Sequence, residues 1–242
     1  MSNSRKAGAI FLVSIVAGLL HAADRERSCV NPLTDPSARI EYSQAAGTLY
    51  LQRGENDKKV LFLRTDRNYE LVRKVYDLND EEFAAELRGR VLDAGSGGSA
   101  FVNSLLARGV DAFGIDLVLS KSQLSDPKHF AKQDMAHLEF ANESFDTVIS
   151  TYSALTYESV FFRFSFDRDD RIGPKSLTVK ILREFARVLR PSGHALIAPV
   201  ALSDEFDEAL KYVPELTVDR KVRTEEQTKL AYILKKRPSV SK

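Results

Sequence analysis

The sequence predicts an α/β fold built on a doubly wound, mostly parallel sheet, and three observations predict it. From Val91 onward, short apolar runs alternate with helical patterns, the arrangement that covers a parallel sheet on both faces. The first run ends in a glycine turn, VLDAGSGGSA, where the chain bends sharply and approaches a ligand without a Cβ in the way. The last two runs, LTVDRKV and KLAYILKKR, are joined by polar RTEEQT and read as an antiparallel C-terminal edge.

Each element follows from its residues. The stretch MSNSRKAGAIFLVSIVAGLLHAA has a basic start, an apolar run from Ala7 to Leu20 and small residues at Ala22 and Ala23. That is the layout of a secretory signal peptide, with an uncleaved membrane anchor or a mis-assigned start as alternatives. Residues 24–64 read as a linker and cap segment. In them NPLTDPSARIEY is linker-like by its two prolines, and the alternation on either side of GEND suggests a hairpin, with a helix through Tyr42 to Leu51 competing. DRNYELVRKVYD has helical spacing at Leu71, Val72 and Val75. NDEEFAAELRGR offers Asn79 as N-cap, Glu82 as its capping-box partner and Gly89 past the end.

The core strands are RVLDAG, DAFGIDL, a shorter one near FAKQD, FDTVIS and HALIAPV; the helices between them include FVNSLLARG and LTVKILREFARVLR. FDEALKYV is a further helix. Residues 65–237 thus form the main domain and residues 238–242 a tail.

Composition narrows the function. With 35 basic and 34 acidic residues, a net charge of +1 and no long charge run, no general nucleic-acid grip is expected. A single cysteine, Cys29, excludes an intramolecular disulfide framework, and the four histidines lack metal-ligand spacing with it, so no metal is expected. Gly95, Gly97 and Ala100 satisfy a loose dinucleotide fingerprint. Asp93, two residues before the first glycine, argues against a pyrophosphate there and for a cationic ligand.

These residues resemble the class I S-adenosylmethionine-dependent methyltransferases, in particular their small-molecule type, with the Rossmann-like fold of that family. The resemblance spans about residues 65–237. VLDAGSGGSA looks like the first motif, and Asp116 in GVDAFGIDL, 21 residues after Gly95, stands where the family binds ribose hydroxyls. Asp134 and Met135 match the adenine-contacting position, Asp146 begins the fourth strand, and ILREFARVLRPSGHALIA resembles the helix, turn and fifth strand. The resemblance implies S-adenosyl-L-methionine as cofactor, held by Asp93, Ala94, Gly95, Gly97, Asp116, Leu117, Asp134, Met135 and Thr151. Structural roles compete at each acid: Asp93 as a turn-capping residue, Asp116 as a plain strand-end carboxylate, Asp134 as a side-chain cap on the segment after it. Pro191 and Gly193 are expected to form the turn that feeds the fifth strand.

Departures from the family pattern are also visible. Ser99 replaces the usual third glycine, and LVLSKSQLSDPKHFAKQ leaves little room for a helix between Asp116 and Asp134. The Asn-Pro-Pro-aromatic signature of planar-nitrogen methylation is absent; STYSALTY stands there. Tyr152 and Tyr157 are candidates for an acceptor pocket or for packing. The loop 158–178, with four phenylalanines and a charged half, suggests a lid or a partner-facing anchor. His129, His137 and His194 show no carboxylate partner in sequence.

The implied function is methyl transfer to a small-molecule or protein acceptor, by an enzyme exported or anchored through its leader, or cytoplasmic if the start is mis-assigned. The competing expectations are an exported, catalytically silent binding protein of the same fold and a nicotinamide-dependent oxidoreductase. Neither the catalytic base nor the oligomeric state is legible.

Overall fold

The computed structural model describes residues 38–43, 48–53, 60–63, 67–153, 172–200, 202–223 and 230–238. The leader, Cys29, Tyr157 and the phenylalanines of the 158–178 loop lie outside these residues.

Three strands come first: β1 (Ala38–Ser43), β2 (Thr48–Arg53) and β3 (Val60–Leu63), an antiparallel sheet in the order β1-β2-β3. The β2-β3 pair, with Leu51 opposite Val60, is the hairpin expected around GEND rather than the competing helix. β1 corrects the linker reading of its residues: Ile40 and Tyr42 alternate with Arg39, Glu41 and Ser43, the period of a strand.

Two short helices follow. α1 (Tyr69–Val75) starts at Asn68, whose side chain accepts from the Leu71 amide. α2 (Asp80–Glu86) carries the expected capping box between Asn79 and Glu82, satisfying two otherwise orphaned donors.

The main sheet has seven strands in the order β6-β5-β4-β7-β8-β10-β9. They are β4 (Arg90–Ala94), β5 (Asp111–Asp116), β6 (Phe130–Lys132), β7 (Phe145–Thr151), β8 (Leu189–Val200), β9 (Leu216–Arg223) and β10 (Leu230–Lys236). β6 through β8 are mutually parallel. β10 runs antiparallel to β8 and β9, so the last strand inserts between the fifth parallel strand and the edge. The mostly parallel, Rossmann-like sheet with its antiparallel C-terminal pair matches the expected fold class.

Alternate side chains along each strand feed two cores. On one face Leu92, Ala195, Ile197, Tyr232 and Leu234 pack with α5 (Leu177–Val188) and α6 (Ser203–Leu210). On the other, Val91, Leu196, Ala198, Ala231 and Ile233 pack with α1, α2 and α3 (Ala100–Ala107) through Val72, Phe83, Phe101 and Leu105. A sheet covered on both faces leaves the carboxyl ends of its strands as the place for a ligand.

Two local expectations are revised. LVLSKSQLSDPKHFAKQ does hold a helix, the single-turn α4 (Lys121–Leu124), made possible by a capping box between Ser120 and Gln123. In the turn before the fifth strand, Ser192 rather than Gly193 adopts the left-handed conformation, at φ 63°. The segment is a bulge at the start of β8, between the pairs Phe145–Leu189 and Thr147–His194. Gly193 is needed for closeness, because a Cβ there would lie 2.7 Å from the Asp146 carbonyl oxygen.

Candidate active site

The chain winds from β4 outward to β5 and β6, then returns to β7 on the other side of β4. The carboxyl ends of β4 and β7 therefore flank the switch point where open α/β sheets bind ligands. Asp93, Ala94 and Gly95 stand on one lip of this crevice and Thr151 on the other.

The glycine turn is shaped by backbone conformation. Gly95 and Gly97 sit at φ 82° and 57°, which residues with a Cβ rarely adopt. A Cβ on Gly95 would also come within 2.4 Å of Ser153 Cβ and 3.2 Å of Met135 Cε. The Gly95 and Ser96 amides both donate to the Ile115 carbonyl, at 2.9 and 2.8 Å, pinning the turn to β5. The Ala94 carbonyl accepts from the Ser150 and Ser153 hydroxyls at 3.0 and 2.9 Å, pinning it to β7.

Asp116, at the end of β5, accepts from the Gly97 amide at 2.7 Å through Oδ2 and from the Val118 amide at 3.1 Å through Oδ1. Leu117 follows it, half-buried. Asp134 accepts from the Ala136 amide at 2.9 Å; the side-chain cap weighed as its structural role is present. Met135 reaches back to Gly95, so the turn after β6 meets the glycine turn.

Asp93 stands apart from the other acids. It is 1% exposed, and neither carboxylate oxygen has a hydrogen-bond partner. Burial pushes its pKa up to about 6, with the Arg67 charge pulling it down and the Asp116 charge adding to the rise. Burial thus outweighs the ion pair with Arg67, whose Nη2 lies 3.5 Å from Asp93 Oδ1. A buried carboxylate without donors is costly, and it suits a ligand that brings its own cationic donors.

Four residues that sequence reasoning missed complete the site. Arg67, just before α1, donates through Nη2 to the Gly95 carbonyl at 2.5 Å and through Nη1 to the Thr151 carbonyl. Tyr76, at the end of α1, shares a 3.0 Å hydrogen bond with Thr151 Oγ1. Gln123, fully buried in α4, donates to the Gly97 carbonyl at 3.2 Å. Ser96, 1% exposed, has a hydroxyl without a partner beside Gly114. Only Gln123 left a signal, the S-x-x-Q spacing of a capping box from Ser120.

Other candidates fall elsewhere. Tyr152 takes φ 54° and its ring packs on the core that contains α1. His194 pairs with Glu86 at 2.8 Å and His129 with Asp126 at 2.9 Å. His194 lies opposite Thr147 near the start of β7 and His129 just before β6, so neither stands at the carboxyl ends of β4 and β7. Ser99 opens α3 without a side-chain cap. Among the described residues, no group of His, Cys, Asp and Glu is placed to hold a metal.

Residues 92–197 match the family model described as a methyltransferase domain. No curated protein sequence matches the chain. Solved structures with partial likeness include that from the conversion of a disulfide bond into a thioacetal group during echinomycin biosynthesis. It is 18% identical, covers 66% of this chain and 80% of its own, and has a TM-score of 0.47. A S-adenosylmethionine-dependent methyltransferase of Methanosarcina mazei is 15% identical over 67% and 99% of the two chains, with a TM-score of 0.46. The geranyl diphosphate C-methyltransferase of Streptomyces coelicolor A3(2) is 13% identical over 66% and 74%, with a TM-score of 0.42.

Proposed function

We infer that the protein is an active S-adenosylmethionine-dependent enzyme that transfers the cofactor's methyl group to a small-molecule or protein acceptor, a reading supported by the match of residues 92–197 to a methyltransferase domain. One observation carries the reading beyond the family match. The fully buried, hydrogen-bond-free carboxylate of Asp93 lies at the sheet's switch point, beside two left-handed glycines.

These residues fit the cofactor. The orphaned Asp93 oxygens favour an ammonium group, and the left-handed glycines Gly95 and Gly97 shape the turn beside them for its amino-acid end. Asp116 is placed for the ribose hydroxyls, and its backbone bonds to Gly97 and Val118 fix its orientation. Met135 offers an apolar surface to the adenine side. The acid at position 93 works against the pyrophosphate of a nicotinamide dinucleotide.

The cofactor supplies an electrophilic methyl group on a sulfonium. This chain's part is to bind, to orient and to keep water away from the reacting atoms, because an in-line displacement gains much of its acceleration from alignment. A base enters only where the acceptor must lose a proton. His129 and His194, tied to carboxylates away from the crevice, are not proposed for that role. Absence of the planar-nitrogen signature supports an acceptor other than a nucleobase or amide nitrogen.

The test is to incubate the protein with S-adenosylmethionine and fractionated small molecules or proteins, and to follow S-adenosylhomocysteine release. Release that needs one fraction and disappears in Asp116→Ala supports the reading. A folded protein that binds the cofactor but never turns over would favour the silent-fold alternative. We further propose that residues 1–23 export or anchor the protein; fractionation of cells expressing the full chain and a chain lacking them tests this, with equal soluble recovery counting against it.

A further inference from the structure

Arg67 occupies the crevice that the cofactor has to enter. Its side chain is 3% exposed and closes on three acceptors at once: the Gly95 carbonyl at 2.5 Å, the Thr151 carbonyl, and the Asp93 carboxylate at 3.5 Å. These groups come from the ends of β4 and β7, the two lips of the switch point. A buried ammonium has three donors and no acceptor, and in this crevice the same carbonyls and carboxylate are what it would bond.

The guanidinium is an imperfect occupant. It makes hydrogen bonds to both carbonyls but only a charge contact to Asp93, whose oxygens stay without a donor. A compact ammonium approaches a carboxylate more closely than this and can hydrogen-bond to it. Arg67 also sits one residue before the Asn68 N-cap, outside the helical hydrogen-bond ladder. α1 keeps a separate hold on β7 through Tyr76 and Thr151 Oγ1, so the arginine can leave without the helix.

We propose that Arg67 is a resident stand-in for the cofactor's ammonium, which closes the amino-acid end of the site in the ligand-free protein and is exchanged when the cofactor binds. The proposal rests on reading the crevice as the cofactor site. It makes Arg67 a specificity-determining residue: ligands with an α-ammonium group can displace it, whereas a nucleoside lacking the amino-acid part gains nothing by doing so. The exchange also keeps Asp93 beside a positive charge in both states, while Asp116 and Tyr76 are the other titratable groups that act on it, with Tyr152 acting on Tyr76 in turn.

The test is calorimetric titration of the full chain and of Arg67→Met with S-adenosylhomocysteine and with methylthioadenosine, which lacks the amino-acid part. Arg67→Met is expected to bind S-adenosylhomocysteine roughly tenfold tighter, the scale of losing a charge-assisted hydrogen bond in the competing state, with methylthioadenosine unchanged. Without ligand, its melting temperature should fall below wild type at pH 8 and recover toward pH 5 as Asp93 takes up a proton. Should Arg67→Met lack a cooperative melt, Arg67→Gln, which keeps donors for the carbonyls, carries the same comparison. Weaker or unchanged S-adenosylhomocysteine binding in a folded variant would overturn the proposal, since Arg67 would then hold the ligand or ignore it. Failure of wild type and variants alike to bind either ligand would overturn the cofactor reading itself, and the exchange with it.

Discussion

At the scale of single residues, Asp93 sets stability against binding. Its folded pKa of about 6 lies above the ordinary 3.8, so the folded state prefers the protonated carboxyl. The associated stability is fully present below about pH 4 and is lost as pH rises through about 6, an upper bound of ~3 kcal/mol. Melting of wild type relative to Asp93→Asn across pH 4.5 to 8 should show that loss; a flat difference would contradict it. Cofactor affinity should move the other way, rising with pH through about 6 as the carboxylate needed by an ammonium forms. Gly95→Ala meets both a left-handed φ and a 2.4 Å clash with Ser153, so it should lose ~1 to 3 kcal/mol of stability and most of its cofactor affinity. A variant that melts and binds like wild type would mean that the turn is less constrained than its geometry says.

At the scale of elements, the helices before β4 position what the glycine turn lacks. α1 brings Tyr76, with Arg67 just ahead of it, onto Thr151, while α2 is fastened at both ends. Its start is the Asn79–Glu82 box; its end is Glu86, which accepts from His194 at 2.8 Å and pairs with Arg220 at 3.3 Å. The His194 hydrogen bond holds the Glu86 carboxyl below its usual range against the opposing effect of burial. That stability is present above the unfolded carboxylate pKa and lost as pH falls through the lowered folded one. Asn79→Ala should cost ~1 kcal/mol in denaturant unfolding without changing cofactor affinity. A matching loss of affinity would mean that α2 acts on the site directly.

What was legible in the sequence follows from range. The capping box, the glycine turn and the strand periods are local patterns, and Asp116 and Met135 belong to local motifs. The structure brings those two to the turn after Gly95. Arg67 and Tyr76 belong to no motif. They reach Thr151 across 84 and 75 residues of chain, and nothing in FLRTDRNYELV announces such a contact. β1 was hidden by the two prolines just before it, and Ser192 by the expectation that a glycine takes the left-handed position.

At the scale of the whole molecule, two cores hold opposite faces of one sheet, and the site lies where the chain changes direction between β4 and β7. Nothing catalytic needs to come from the cores; they fix the strand ends, and the strand ends fix the acceptors. Ligand binding at that rim should therefore stabilise the whole fold, by an amount that grows with the logarithm of ligand concentration over its dissociation constant.

Whether the crevice holds S-adenosylmethionine is decided by calorimetric titration of the full chain with that cofactor, alongside Asp116→Ala. Wild type is expected to bind at micromolar concentration, and removal of the Asp116 carboxylate to weaken binding by ~1 to 3 kcal/mol. A folded protein that shows no binding at millimolar cofactor, or an Asp116→Ala variant that binds as well as wild type, would contradict the cofactor assignment.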